Sequence, residues 1–92
     1  MDNRMIARRL LDMAHLLERD RVNLYRVRAY RQAAQVIDGL DQPLEDLLAT
    51  SGRKGLKELP GIGGRLSAKI EKLVQTGEFP ILKEEGHSLV AT

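Results

Sequence analysis

About two-thirds of the way along this chain, six residues, Leu59-Pro60-Gly61-Ile62-Gly63-Gly64, form a stretch that neither helix nor strand can run through. Pro60 pre-sets the first corner of a tight turn, and Gly61 accepts the positive φ that the second corner of a type II turn demands. Gly63 and Gly64 carry no side chain where a ligand would have to approach the backbone closely. The stretch that follows is amphipathic. At about 100° per residue, Lys69 and Lys72 fall within about 40° of Arg65 on either side and make one basic stripe. Leu66, Ile70, Leu73 and Val74 make the neighbouring apolar stripe. The first turn of such a helix offers N–H groups without intrahelical acceptors, and the positive end of its dipole, to an anion. Turn and helix together suit a phosphate gripped through main-chain N–H groups.

Of the three cations on the stripe, Lys69 lies nearest the apolar edge. A lysine there is partly desolvated and crowded by like charge, which favours its neutral, nucleophilic amine. The plainer alternative is a solvated surface lysine with a packed stem. That alternative fits Lys72 better than Lys69.

The remaining pattern is helical throughout. Asp2 or Asn3 is placed to cap a first helix with Ile6, Leu10, Met13, Ala14 and Leu17 on its buried face, ending near Arg19 to Arg21. Asn23 is placed to cap a second, with Val27, Tyr30, Ala33, Ala34 and Ile37 inward and Gly39 as its stop. Asp41 or Gln42, with Pro43 at the first helical position, starts a third that stops around Ser51-Gly52. A short helix from Arg53 to Glu58 leads into the turn, and the basic helix runs to Thr76 with Gly77 as its stop. Residues 79–85 are expected to add a further turn or two. With no strand-like alternation and no repeat, the expected fold is all-α, a small bundle of four to five helices. Residues 1–85 would form the domain and residues 86–92 a frayed tail.

Composition narrows the function. Ninety-two residues suffice for one small core. The absence of cysteine excludes disulfides and thiolate metal sites. No apolar run approaches a membrane span or a signal peptide's core, so an intracellular protein without membrane association is expected, in cytoplasm or nucleoid. A net charge of +2 says little. Its distribution says more: Arg21, Arg26, Arg28 and Arg31 precede the acidic cluster Asp38, Asp41, Glu45 and Asp46, which predicts a basic and an acidic side. Arg26 and Tyr30 share one helix face, while Arg28 and Arg31 face outward as generic phosphate or solvent contacts. Tyr30 also falls in the apolar stripe, so a core ring and a site residue are both open for it. His15 and His87 have no clustered ligand partner.

A short helix, a Pro-Gly-Ile-Gly turn and a second helix make a helix-hairpin-helix, a sequence-independent DNA-binding module. The likeness extends further. The segments Leu24-Tyr25-Arg26-Val27-Arg28-Ala29-Tyr30-Arg31-Gln32-Ala33-Ala34 and Leu56-Lys57-Glu58-Leu59-Pro60-Gly61-Ile62-Gly63, with Lys69-Ile70 and the Thr76-Gly77 helix end, resemble the amino-terminal lyase domain of family X DNA polymerases, the group of DNA polymerase beta. The resemblance covers nearly all of residues 3–82. It implies a binding site for a DNA 5′-phosphate in a gap or at an incised abasic site. Arg26, Tyr30, Lys57 and Arg65 stand where the family binds phosphate, with arginine replacing the family's lysine at the first and last of these. Gly61, Gly63, Gly64 and Lys72 complete the implied DNA contact. Lys69 matches the Schiff-base lysine of members with 5′-deoxyribose-phosphate lyase activity. Tyr25 matches a ring that stacks on a template base. The main-chain carbonyls of Lys57, Leu59 and Ile62 match a monovalent-cation site for Na⁺ or K⁺, and no other cofactor is required.

Departures from the family pattern bear on activity. Ala68 replaces the acidic residue that some of these lyases carry before the nucleophile. Glu58, Glu78 and Ile81 stand where DNA polymerase beta is basic. Nothing resembling a polymerase palm follows, so the chain reads either as a free-standing domain or as the start of a longer family X polymerase, and its unfamiliar Gly86–Thr92 end favours the former. Three functions follow: a monomeric DNA repair module with lyase activity, a DNA-binding module that recruits a repair polymerase or nuclease to gapped, nicked or single-stranded DNA, and a helical interaction domain whose hairpin is only a turn. Basic clustering and the phosphate-shaped turn disfavour the third.

Overall fold

A computed structural model describes residues 1–20 and 24–78. The expectations for Arg21 and Asn23, for 79–85 and for the 86–92 tail fall outside these residues. Among the described residues the fold is all-α, with four helices, α1 (Asn3–Asp20), α2 (Leu24–Asp38), α3 (Leu44–Lys57) and α4 (Gly64–Thr76). All five apolar positions read from the period of α1, and all five from α2, are buried. Three residues join these two helices, so they pack as antiparallel neighbours along their lengths. Helices α3 and α4 pack on each other, and α4 also meets α1. Leu44, Leu56, Ile62, Ile70 and Leu73 complete the core from this second half.

The start of α1 is capped by one of its two candidate residues, that of α3 by neither of its own. The Asp2 carboxylate caps α1 by accepting the Met5 N–H at 2.8 Å. Asn3 serves another helix: its Oδ1 accepts the Leu44 N–H at 2.7 Å, and its Nδ2 donates to the Gln42 carbonyl at 2.8 Å. One amide side chain thus ties the start of α1 to the start of α3. Neither Asp41 nor Gln42 is the cap of α3. Pro43 takes that position with φ −61° and ψ 140° and no side-chain cap bond, and the N–H of Leu44, the first residue of the helix, donates instead to Asn3 across the fold.

The expected stop near Ser51-Gly52 is a break inside α3. Gly52 has φ 64° and ψ −159°, so two helical pieces meet at an angle there. A side chain at that φ would be strained. The second piece runs into the hairpin, and α4 leaves it. Gly77 closes α4, its N–H donating to the Leu73 carbonyl at 2.7 Å. One core residue has no apolar signal: Ser67 is fully buried, its hydroxyl donating to the Gly64 carbonyl at 2.8 Å. That bond offsets the cost of burying the hydroxyl. Among the described residues no helix is long and apolar enough to cross a membrane.

Candidate nucleic-acid interface

The hairpin is built as its residues require. The Ile62 N–H donates to the Leu59 carbonyl at 3.1 Å, closing a turn with Pro60 and Gly61 at its corners. Gly61 has φ 78°. With Gly in third place and that bond, the turn is of type II. Ile62 is buried and holds the loop to the core, while Pro60, Gly61, Gly63 and Gly64 remain on the surface. Gly63 is extended (φ −94°, ψ −170°), and neither it nor Gly64 has any heavy atom within 4 Å of where a Cβ would sit. Their contribution is an open approach to the backbone. No side chain caps α4, and the Ser67 N–H, donating to the Gly63 carbonyl at 2.9 Å, is the first to bond back along the helix. The N–H groups ahead of it are the ones a helix leaves for an outside acceptor.

Beside this helix start lies a groove of about 320 Å³ between α2 and α4. Tyr25, Arg26, Ala29 and Tyr30 form one wall and Arg65, Leu66 and Lys69 the other. Two segments some forty residues apart in the chain thus meet across one cleft. Arg26, Arg65 and Lys69 give it three basic side chains, and among the described residues no carboxylate lines it. Tyr25 stands at its edge, 82% exposed. Tyr30 is 3% exposed, so its ring belongs to the core and also lines the groove. Lys69 is half-buried whereas Arg65 and Lys72 are exposed, which is the order the helical wheel predicts.

Other site residues fall elsewhere. Lys57 is exposed at the end of α3 and is not among the residues lining the groove, and Lys72 lies a turn beyond its last lining residue. Arg31 is not a free outward cation: its Nη2 donates to Glu18 Oε2 at 2.9 Å. Arg28 and His15 are exposed. Among the described residues no group of three or more His, Cys, Asp or Glu could hold a metal ion.

Two supports of the hairpin carry no sequence signal. A Cβ on Gly61 would lie 2.8 Å from the Gln32 side-chain carbon, so the Gln32 amide covers the turn from α2. Arg53, just after the Gly52 break, places Nε and Nη2 at 3.1 and 2.8 Å from Glu71 Oε1 on α4. Both are contacts between distant segments.

Residues 1–79 match the sequence family described as a helix-hairpin-helix domain. The chain belongs to that family. The match takes in all four helices, so the helix-hairpin-helix domain includes α1 and α2 as well as the hairpin that gives it its name. Family membership points to DNA binding. No curated protein matches the chain.

Proposed function

We propose that this helix-hairpin-helix domain binds DNA without regard to sequence and seats a 5′-phosphate in the groove between α2 and α4. The observation that carries this reading is the convergence of Arg26, Tyr30, Arg65 and Lys69 on one cleft beside an uncapped helix start. Arginine at two of these positions offers a planar fork that meets phosphate oxygens in pairs. Main-chain N–H groups at Gly64 and Arg65 bind phosphate but read no base edge, so sequence has no purchase. Tyr25 supplies a ring for an unpaired base. The resemblance to the lyase domain of family X DNA polymerases, stated above, supports the same site.

The finer proposal is chemical. The Lys69 amine adds to C1′ of an incised abasic sugar in its aldehyde form, water leaves, and an imine forms. The imine acidifies the C2′ proton. Its removal drives β-elimination, which breaks the C3′–O bond and expels the 3′-side phosphate, and water then hydrolyses the imine and restores the amine. No metal takes part. Among the described residues no carboxylate lines the groove, and Ala68 supplies none, so the proton acceptor is a tyrosine hydroxyl, water or the leaving phosphate. That feature favours a second reading, in which the domain binds gapped DNA and recruits a partner enzyme without reacting.

The carbonyl of Lys57 belongs to the final residue of α3, those of Leu59 and Ile62 to the hairpin between α3 and α4, and Leu59 spends one lone pair on the turn bond. Neutral backbone carbonyl oxygens are ligands that can replace the hydration shell of Na⁺ or K⁺. Bound there, the cation would add positive charge beside a DNA phosphate.

Borohydride trapping on a duplex carrying a 5′-incised abasic site separates the readings. The lyase reading expects a covalent adduct in the wild type, none in Lys69→Ala, and an adduct retained in Lys72→Ala. Binding without any adduct leaves the recruitment reading. DNA affinity should fall with salt at a log–log slope of about −3 to −4, from roughly four phosphate contacts. A flat response, or preference for one duplex sequence, overturns both.

A further inference from the structure

A second and larger groove, of about 680 Å³, lies between α1 and α2. It is not part of the DNA site. At about 100° per residue, its α2 residues Ala34, Gln35 and Asp38 lie roughly 150° around the helix from Tyr25, Arg26, Ala29 and Tyr30. The two sets flank the buried face of α2 on opposite sides and occupy opposite ends of the helix.

Its chemistry is mixed. Among the described residues four large apolar side chains are exposed. Leu24 and Tyr25 stand at the start of α2, where the DNA groove begins. The other two, Met5 at 51% and Leu11 at 37%, both line this second groove. Arg4, Arg8 and Arg9 also line it, and none of the three makes an ion pair among the described residues. Asp12 and Asp38 are the carboxylates in its wall.

We infer that this groove docks an amphipathic helix of a partner protein, with apolar residues over Met5 and Leu11 and carboxylates against Arg4, Arg8 and Arg9. A helix laid in a groove uses apolar anchors at three- and four-residue spacing. Three unneutralised guanidiniums beside an apolar floor select one whose flanking positions are acidic, since opposite charges steer the encounter and like charges reject other partners. A nucleic-acid strand fits less well: its backbone is charged at every phosphate and cannot avoid Asp12 and Asp38 as a helix with uncharged residues opposite them can, and Met5 and Leu11 offer a phosphate nothing to bind. The position on α2 lets such a partner and DNA occupy the domain together.

The test uses the whole chain and a displayed library of helical peptides with fixed apolar residues at i, i+3 and i+7 and randomised flanks. Selection should enrich Asp and Glu at the flanks. The selected peptides should bind at least tenfold more weakly to Arg8→Glu and to Leu11→Glu. Both sites are exposed, and a circular dichroism spectrum matching the wild type certifies that each variant is folded. Binding should be unchanged in Lys69→Ala and in the presence of saturating gapped DNA, so failure of the DNA-site reading and failure here are distinguishable. Neutral or basic flanks, indifference to Arg8→Glu, or displacement by DNA overturns the inference. Random single-stranded oligonucleotide binding lost in Arg8→Glu would make this a nucleic-acid face instead. Self-association lost in the same variant would make the occupant a second copy of the chain. Either result also overturns it.

Discussion

The two helical hairpins of this domain are held by different physics. Among the described residues of the α1–α2 half, eleven buried apolar ones, from Ile6 to Ile37, interlock along two long helices with no break in either. The α3–α4 half buries five, and depends for its shape on backbone devices: the break at Gly52, the type II turn at Gly61, the Ser67 hydroxyl and the Arg53–Glu71 pair. The first half is a platform fixed by burial. The second is a fitted part whose loop shape matters more than its bulk. The candidate site lies where they meet, with one wall from each.

That contrast can be broken by mutation. The largest stability effect should come from the platform: Leu10→Ala, at a fully buried site, should cost roughly 2–5 kcal/mol in urea unfolding. It should take fold and DNA binding together. A loss well below that range would show that burial does not fix this half.

Gly61→Val should separate fold from binding. A β-branched residue at φ 78° is strained, and its Cβ would collide with Gln32 at 2.8 Å, so the turn must rearrange. DNA affinity should fall tenfold or more while helicity stays within a few per cent of wild type, on the order of what a strained surface loop costs. Removing the collision in a Gln32→Ala background should restore only part of the loss, because the strain in φ remains. Unaltered binding by folded Gly61→Val would reduce the hairpin to a connector. Gly63→Ala, with φ −94° and open space around it, should leave the fold unchanged.

A smaller effect is expected at Arg53→Ala. Its pair with Glu71 is largely exposed on the arginine side, so the loss should be below about 1 kcal/mol and should shrink in high salt. A larger loss would mean that the pair sets the angle at Gly52.

The smallest effect concerns the Met1 ammonium, 2.9 Å from Glu45 Oε1. The hydrogen bond to Glu45 and its charge raise the ammonium's pKa above the ordinary 8.0. Because the folded value is the higher one, this contribution is complete below pH 8 and fades as pH rises through the raised value. A slight drop in melting temperature above pH 8 should vanish in Glu45→Gln. A drop that persists in Glu45→Gln would assign it to other groups.

How much of this could be read in advance follows the same division. The faces of α1 and α2 were legible because burial imposes a period that residues such as Leu10 and Ile37 obey. Gly61 and Gly77 were legible because only certain residues accept a positive φ. Docking between segments leaves no local mark. Nothing near Asn3 announces that it will bond Leu44, nothing near Gln32 that it will cover Gly61, and nothing near Arg31 that Glu18 will hold it. Ser67 reads as polar surface until the core closes over it. For the site, the wheel separated Lys69 from Lys72 correctly in burial, while Lys57, grouped with the phosphate residues by likeness, stands outside the cleft they line.

Because its walls come from separate hairpins, the groove makes a ligand part of the scaffold. An anion held by both Arg26 and Arg65 would resist any opening that moves α4 away from α2, so occupancy and melting become one equilibrium. At a hundredfold excess over its dissociation constant, a ligand bound only by the folded chain adds about 2.7 kcal/mol. For a domain this small that is a large share of its total. The thermometer can therefore find what the cleft prefers: among 5′-phosphorylated, 3′-phosphorylated and blunt oligonucleotides, the one that raises the melting point most is the one that spans both walls.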